Sequence, residues 1–181
     1  MNNKTVKANK REAGFTFAEM LVALLILLMV SSIVAVGIPV ASNAYRKVVD
    51  SGNAQVLLST TISALRNELQ FAGEAKASDD KKSVAYVTAD AGIESKIGHP
   101  EGEEAPGLWL RQYKNNGGGY GAKRLLVSDK AAGDNLYLTF DTVEYSDGVF
   151  TFTGLNVYKV GTTEPSLASA SSVTIRVLSS D

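Results

Sequence analysis

The sequence has no cysteine and one histidine among its 181 residues, and its net charge is close to zero. Without cysteine there is no disulfide scaffold, no thiol nucleophile and no zinc site built on thiolates. His99 alone excludes the usual multi-histidine metal sites and is the only base available to a Ser-His-Asp triad, and its Gly-His-Pro setting is typical of a solvated loop. A net charge of −1 argues against nucleic-acid binding driven by bulk charge. We predict no enzymatic activity, no cofactor and no resident metal.

Charge is also missing from one continuous stretch of the chain. From Met20 to Tyr45 no residue is charged, and this run exceeds the ~20 apolar residues that a helix needs to cross a bilayer core. The first 14 residues carry four basic side chains and one acidic side chain. Because positive charge favours the cytoplasmic side, we expect a cytoplasmic N-terminus, one membrane span, and most of the chain outside the cytoplasmic membrane.

Glu19 lies inside the apolar segment, where a carboxylate is costly and is a functional candidate. Three interpretations of this N-terminus compete. A secretory signal peptide cleaved after Ala44 would have an unusually long apolar run, since ~7–15 residues is normal. A simple signal anchor would let Glu19 reach the membrane interface. Neither of these two interpretations gives Glu19 a function.

The third interpretation uses the whole pattern around Glu19. Ala13-Gly14 is followed by Phe15-Thr16-Phe17-Ala18-Glu19 and then by the apolar run. This arrangement resembles the prepilin leader of type IV pilins and type II secretion pseudopilins. The resemblance implies that a membrane peptidase cuts between Gly14 and Phe15 and methylates the new terminus at Phe15. Residues 1–14 are then a leader peptide, residues 15–45 a transmembrane and filament-core helix, and residues 46–181 a globular pilin domain.

The resemblance also implies a partner for Glu19. Glycine before the cut leaves room for an extended backbone in a protease cleft. The freed amine of Phe15 and a carboxylate are each costly in an apolar medium but neutralise each other when paired. In the family, Glu19 of one subunit is taken to pair with the Phe15 amine of a neighbour. The expected partners are other pilin subunits, the prepilin peptidase, an inner-membrane assembly platform and, before assembly, the membrane.

Helical periodicity continues beyond the apolar segment. Within the apolar segment, Gly37 and Pro39 interrupt the helical pattern. We expect a bend or local melting at these residues because proline removes a helical hydrogen bond. An amphipathic second half then runs to about Ala72, with Gly73 as a C-cap. Its apolar stripe comprises Leu58, Ile62, Leu65, Leu69 and Ala72.

The rest of the chain predicts an α+β fold, with the second half of the long helix packed on an antiparallel sheet of about four or five strands. Alternating apolar residues predict strands at residues 84–88, 136–140, 150–153, 155–160 and 172–178, with a change of phase near Tyr158. Asp147-Gly148 predicts a hairpin. Loops are expected at residues 74–82 and 161–172, and residues 92–121 read as a long surface connection that contains a strand at 107–113.

Two ligand alternatives rest on few residues. Oxygen ligands for calcium are available at Asp129, Asp134, Asp141 and Asp147, although their spacing matches no twelve-residue calcium loop. Three cations, Lys123, Arg124 and Lys130, could contact DNA, but they lack neighbouring exposed aromatic residues. Turn formation and a solvated face explain these residues better.

The sequence therefore predicts a structural subunit of a type IV pilus or pseudopilus, displayed at the cell surface and polymerised through its N-terminal helix. The irregular segment at residues 92–121 favours a minor subunit. The alternative is a single-pass anchored surface protein that mediates interactions and never polymerises. An exported enzyme or solute-binding domain released after Ala44 is a third hypothesis.

Overall fold

The structure is a computed structural model that describes residues 15–89, 92–98, 108–114, 118–127, 135–161 and 166–178. The chain divides into two compact units, Met1–Arg46 and Lys47–Asp181. One helix, α1 (Phe17–Leu69), contributes residues to both units. The other elements are strands, and all of them belong to the second unit.

In the first unit the described chain is almost entirely helix. Its large apolar side chains are exposed, because the unit offers them nothing to pack against. The helix continues through Gly37 and Pro39 without a melted turn. Proline has no N–H, so the carbonyl of Ala35 has no helical partner there. A bend at this point stays a prediction.

The second unit contains a first sheet of six antiparallel strands. Strands β1 to β4 are neighbours in chain order, and β5 and β6 both pair with the free edge of β4. One face is buried, with Val84, Tyr86, Ile97 and Leu110 pointing into the core. The strands are β1 (Ala72–Ala77), β2 (Ser83–Thr88), β3 (Glu94–Gly98), β4 (Trp109–Lys114), β5 (Gly119–Tyr120) and β6 (Arg124–Leu125).

A second sheet of four strands is built around β9. Strand β10 pairs with one edge of β9, and β7 and β8 lie one after the other along the opposite edge. The hairpin predicted at Asp147-Gly148 is confirmed, because both residues have positive φ (52° and 73°) and join β8 directly to β9. The strands are β7 (Leu136–Thr139), β8 (Thr142–Ser146), β9 (Val149–Lys159) and β10 (Ala168–Arg176).

Strand β9 changes its buried face at Gly154, so the predicted position near Tyr158 is wrong. Phe152 and Leu155 are both buried, which breaks the period of two, and Gly154 between them has a φ of 62°. Strands β7 and β8, which pair with β9 on one edge, change their buried face at the same position, between the buried residues Phe140 and Val143. A left-handed glycine lets the paired strands reverse their buried faces together without losing register.

The core of the second unit is a single cluster formed by the end of α1 and both sheets. The predicted stripe is confirmed at Leu58, Leu65 and Leu69, and Ile62 is only half-buried. Ala72 is buried too, but as the first residue of β1 and not as part of the helix. The structure therefore has the predicted α+β arrangement, with the helix packed against antiparallel strands. The single sheet of about four or five strands that was expected is wrong, because the strands form two sheets, of six and four strands. The helix residues buried in the cluster are Ala54, Leu57, Leu58, Thr61, Leu65 and Leu69.

Several predicted boundaries are wrong. The helix ends at Leu69 without a cap at Gly73, because the carbonyls of Gln70 and Phe71 accept hydrogen bonds from Leu178 and Ala89 (2.6 and 3.1 Å). Part of the loop expected at 74–82 is strand β1, and the connection expected at 92–121 contains β3 and β5 in addition to β4, which corresponds to the strand predicted at 107–113. The loop expected at 161–172 is shorter, since β10 already begins at Ala168. Cross-strand pairing overrides the polar and glycine-rich composition of these segments.

Candidate functional site

The described chain begins at Phe15, and the first residues of α1 form a closed hydrogen-bonded motif. The Thr16 N–H donates to Oε2 of Glu19 (2.8 Å), and the Thr16 hydroxyl donates to the same oxygen (3.0 Å). The Glu19 N–H in turn donates to Oγ1 of Thr16 (3.2 Å). Thr16 is thus the N-cap of the helix and Glu19 its third residue, which is the geometry of a capping box.

This capping role of Glu19 was missed by sequence reasoning, although Thr16-Phe17-Ala18-Glu19 has the required Thr-x-x-Glu spacing. The box satisfies N–H groups at the start of the helix that have no helical partner, and it puts negative charge at the positive end of the helix dipole. Glu19 therefore stabilises its own helix start, besides any contact it makes with another molecule.

The box uses only one of the two oxygens of Glu19. In the described part of the chain, Oε1 receives no hydrogen bond. Glu19 also lines an open depression of about 430 Å³ whose other walls are apolar, among them Phe15, Val22 and Ile26. An incoming cationic group would find there an unused carboxylate oxygen beside apolar surface.

Phe15 lies directly before the cap and is 83 % exposed. In the uncleaved chain its nitrogen is a peptide nitrogen, and a cut before Phe15 would convert it into an amine four residues from Glu19. Gly14 lies outside the described residues. Cleavage at Gly14, methylation of Phe15 and pairing of Phe15 with Glu19 therefore stay predictions.

The surface of α1 that follows Glu19 is apolar and exposed. Its exposed apolar side chains include Leu24, Leu28 and Ile33 (53 %, 65 % and 71 % exposed), all within the uncharged segment. By length and composition, α1 is long and apolar enough to cross a membrane. Apolar surface of this extent is covered in a stable protein, by lipid or by other protein.

Of the other residues singled out in the sequence as a possible base or ligand contact, some lie outside the described residues and the rest lie in the strands, turns and connections of the second unit. His99, Asp129, Asp134 and Lys130 lie outside the described residues. Asp147 is part of the β8–β9 turn, and Asp141 packs against Gly154. Among the described residues no three His, Cys, Asp or Glu side chains come together as metal ligands. Lys123 lies over the ring of Trp109, 4.3 Å from its centroid.

The fold and the N-terminal geometry define a class of protein with one candidate membrane span at its N-terminus and an α+β globular unit. Residues 9–35 match a family model described as the prokaryotic N-terminal methylation motif. No curated protein and no solved structure matches the chain. The chain thus carries the prepilin signal of type IV pilins and pseudopilins, and this signal is consistent with membrane anchoring.

Proposed function

We propose that this protein is a structural subunit of a type IV pilus or pseudopilus. It is made as a prepilin, cut after Gly14, methylated on Phe15 and polymerised through α1. The single observation that carries the proposal is the methylation motif at residues 9–35, whose apolar part coincides with the exposed surface of α1. A processing signal and a surface that needs covering occur in the same 27 residues.

The exposed helix suits two successive environments. Before assembly, the uncharged segment from Met20 to Tyr45 is more than long enough to cross a bilayer core, and the basic leader holds the N-terminus in the cytoplasm. After assembly, the same side chains pack against the helices of neighbouring subunits. Prepilin peptidase and an inner-membrane assembly platform are the partners that these two steps require.

Glu19 supplies the contact that places a new subunit in register. Its Oε1 atom is unused by the capping box and Glu19 lines an apolar depression, so a methylated Phe15 amine from another subunit would find both charge and apolar contact there. Burying these opposite charges together is far less costly than burying either one alone. This step requires cleavage, because the uncleaved chain has no amine at Phe15.

The mass of the mature N-terminus tests the proposal. The protein is recovered from membranes and from sheared surface filaments, and its N-terminal peptide is analysed by mass spectrometry. We expect methylated Phe15 in both fractions. An intact Met1 together with absence from the filaments would favour an anchored protein that does not polymerise, and a terminus at Tyr45 would favour a secreted domain.

A further inference from the structure

The outward face of the first sheet carries three cations in one row. Lys76 on β1 pairs with Ala85 on β2, Ala85 pairs with Lys96 on β3, and Lys96 pairs with Arg111 on β4. Residues directly opposite each other in antiparallel strands point to the same face, so Lys76, Lys96 and Arg111 form a line across four strands. We call these three side chains the basic row. With strands about 4.8 Å apart, the row is about 14 Å long.

Asp79 and Glu94 lie near the basic row, but no described carboxylate forms an ion pair with its three cations. The two ion pairs between described residues, Lys81–Glu144 and Lys159–Asp50, lie elsewhere. Lys96 and Arg111 are direct cross-strand neighbours, and like charges in that position repel. The row therefore does not stabilise the sheet, and its charges are available to an external anion.

A depression lies between the first two cations of the row. Its volume is about 290 Å³, its floor is formed by the small side chain of Ala85, and Lys76, Lys96 and Tyr120 stand around it. Tyr120 is held in place by a hydrogen bond from its hydroxyl to Glu94. The depression is shallow and about as large as one sugar ring. The Tyr120 ring can contact the apolar face of a sugar, and the two cations can pair with its anionic group.

We propose that the outward face of the first sheet binds an acidic polysaccharide. Its carboxylate or sulfate groups pair with the basic row, and one of its sugar rings occupies the depression above Ala85. Binding is electrostatic along the row and is completed by contact with the Tyr120 ring. The site lies wholly in the second unit and does not depend on whether the protein polymerises.

The chemistry of this face favours a glycan over a nucleic acid. Asp79 lines the same depression, and Glu94 lies on the same face of β3. Carboxylates accept hydrogen bonds from sugar hydroxyls, of which a glycan offers several per ring and a nucleic-acid chain at most one per internal nucleotide. A channel for single-stranded nucleic acid is positively charged along its length and offers successive stacking rings. Here the ring of Trp109 is covered by Lys123, and Tyr113 and Tyr120 pack edge to face.

Binding is tested with the full-length protein in an uncharged detergent. The probes are oligogalacturonate as the acidic glycan, dextran as the neutral glycan and oligo-dT as the single-stranded nucleic acid. The fluorescence of Trp109, the only tryptophan, reports occupancy because it lies two residues from Arg111 on β4. We expect oligogalacturonate to bind with an affinity that falls as salt rises, and dextran and oligo-dT to bind much more weakly.

Paired variants locate the site. Lys76→Gln with Lys96→Gln should weaken oligogalacturonate binding at least about fivefold, because two surface charge pairs are lost. Lys76→Arg with Lys96→Arg keeps the charge and should bind almost normally. The matched control is Lys47→Gln with Lys114→Gln, which removes the same charge from two other exposed positions. Far-ultraviolet circular dichroism checks that each variant is folded.

Three results would overturn the proposal. One is that oligogalacturonate does not bind to the wild-type protein. Another is that the control pair weakens binding as much as the Lys76 and Lys96 pair, which would indicate a general charge effect. The third is tighter binding of oligo-dT than of oligogalacturonate, which would assign the face to nucleic acid.

Discussion

The hydroxyl of Tyr86 on β2 donates a hydrogen bond to Oε2 of Glu68 on α1, with 3.3 Å between the two oxygens. Tyr86 is fully buried at the junction between the helix and the first sheet. This contact links the final turns of α1 to the sheet that carries the basic row. If the Tyr86 hydroxyl is removed, the Glu68 carboxylate beside the core loses this hydrogen bond.

Tyr86→Phe should lower the free energy of unfolding by about 1 kcal/mol at neutral pH, because one intramolecular hydrogen bond is lost. Denaturant unfolding of the full chain, followed by Trp109 fluorescence, measures this change. The control is Tyr45→Phe, which alters an exposed tyrosine of the first unit. Equal effects of the two substitutions would show that the Glu68 contact contributes nothing.

The same tyrosine makes stability depend on alkaline pH. Burial and the nearby negative charge of Glu68 raise the pKa of Tyr86 above its usual range, and partial burial together with Glu94 raises the pKa of Tyr120 to about 12. In the unfolded chain both tyrosines lose their proton near pH 10. Since the folded state keeps these protons longer, the free energy of unfolding should fall as pH rises above about 10.

Denaturant unfolding between pH 8 and pH 11.5 measures this dependence. Tyr86→Phe should make the decrease shallower, and Tyr120→Phe should do the same to a smaller extent because Tyr120 is partly exposed. If the free energy of unfolding fell with pH as steeply in the Tyr86→Phe variant as in the wild type, Tyr86 would not be a cause of the alkaline loss of stability.

The fold also depends on Gly154, where the second sheet reverses its buried faces. A Cβ atom at this position would lie 1.9 Å from Oδ2 of Asp141, and the φ of 62° is itself unfavourable for any other residue. Gly154→Ala should therefore destabilise the second unit by about 2 kcal/mol or more. Thermal unfolding of the full chain measures the effect.

Gly161 provides a matched control for Gly154. Its φ is 83°, but a Cβ there meets nothing within 4 Å, so Gly161→Ala should cost only about 1 kcal/mol from the backbone conformation. Adding Asp141→Ala to Gly154→Ala should restore part of the lost stability, because the carboxylate is removed. A double variant no more stable than Gly154→Ala would show that the contact with Asp141 is not the cause.

Regular patterns in the sequence predicted the elements that follow them. Alternation of apolar residues predicted β7, β9 and β10, and Asp147-Gly148 predicted the turn between β8 and β9. Strands β1 and β3 were missed because their sequences, AGEAKA and ESKIG, contain few apolar residues and form strands through their pairing with β2. Local composition does not contain that information.

The candidate sites show the same limit. The methylation motif is contiguous in sequence, so Phe15 and Glu19 were identified from it. The capping contact between Thr16 and Glu19 was also visible as Thr-x-x-Glu, yet Glu19 was interpreted as a group that reaches the membrane interface or contacts another subunit, and its capping role was missed. The basic row joins residues 76, 96 and 111, whose proximity depends on the register of three strand pairs.

Pro39 should make its part of α1 open more readily than the segment before it. Proline donates no hydrogen bond to the carbonyl of Ala35, so the surrounding turn has one helical bond fewer. In detergent micelles, amide hydrogens at residues 36–38 and 40 should exchange with solvent faster than those at residues 22–30. Pro39→Ala should slow this exchange. Equal rates in the two segments of the wild-type helix would argue against local weakening at Pro39.

Glu19 combines a contact within its own helix with the proposed contact between subunits, and substitutions separate the two. Glu19→Gln keeps an oxygen that can accept the Thr16 N–H but loses the charge, whereas Thr16→Ala weakens the cap and keeps the charge.

Both variants should still insert and be cleaved. We expect Glu19→Gln to enter sheared filaments at least roughly tenfold less than the wild type, and Thr16→Ala to enter them almost normally, because only an ionised carboxylate neutralises a buried amine. Quantitative immunoblotting of filament and membrane fractions measures the ratio. Normal incorporation of Glu19→Gln together with poor incorporation of Thr16→Ala would show instead that assembly requires the helix cap.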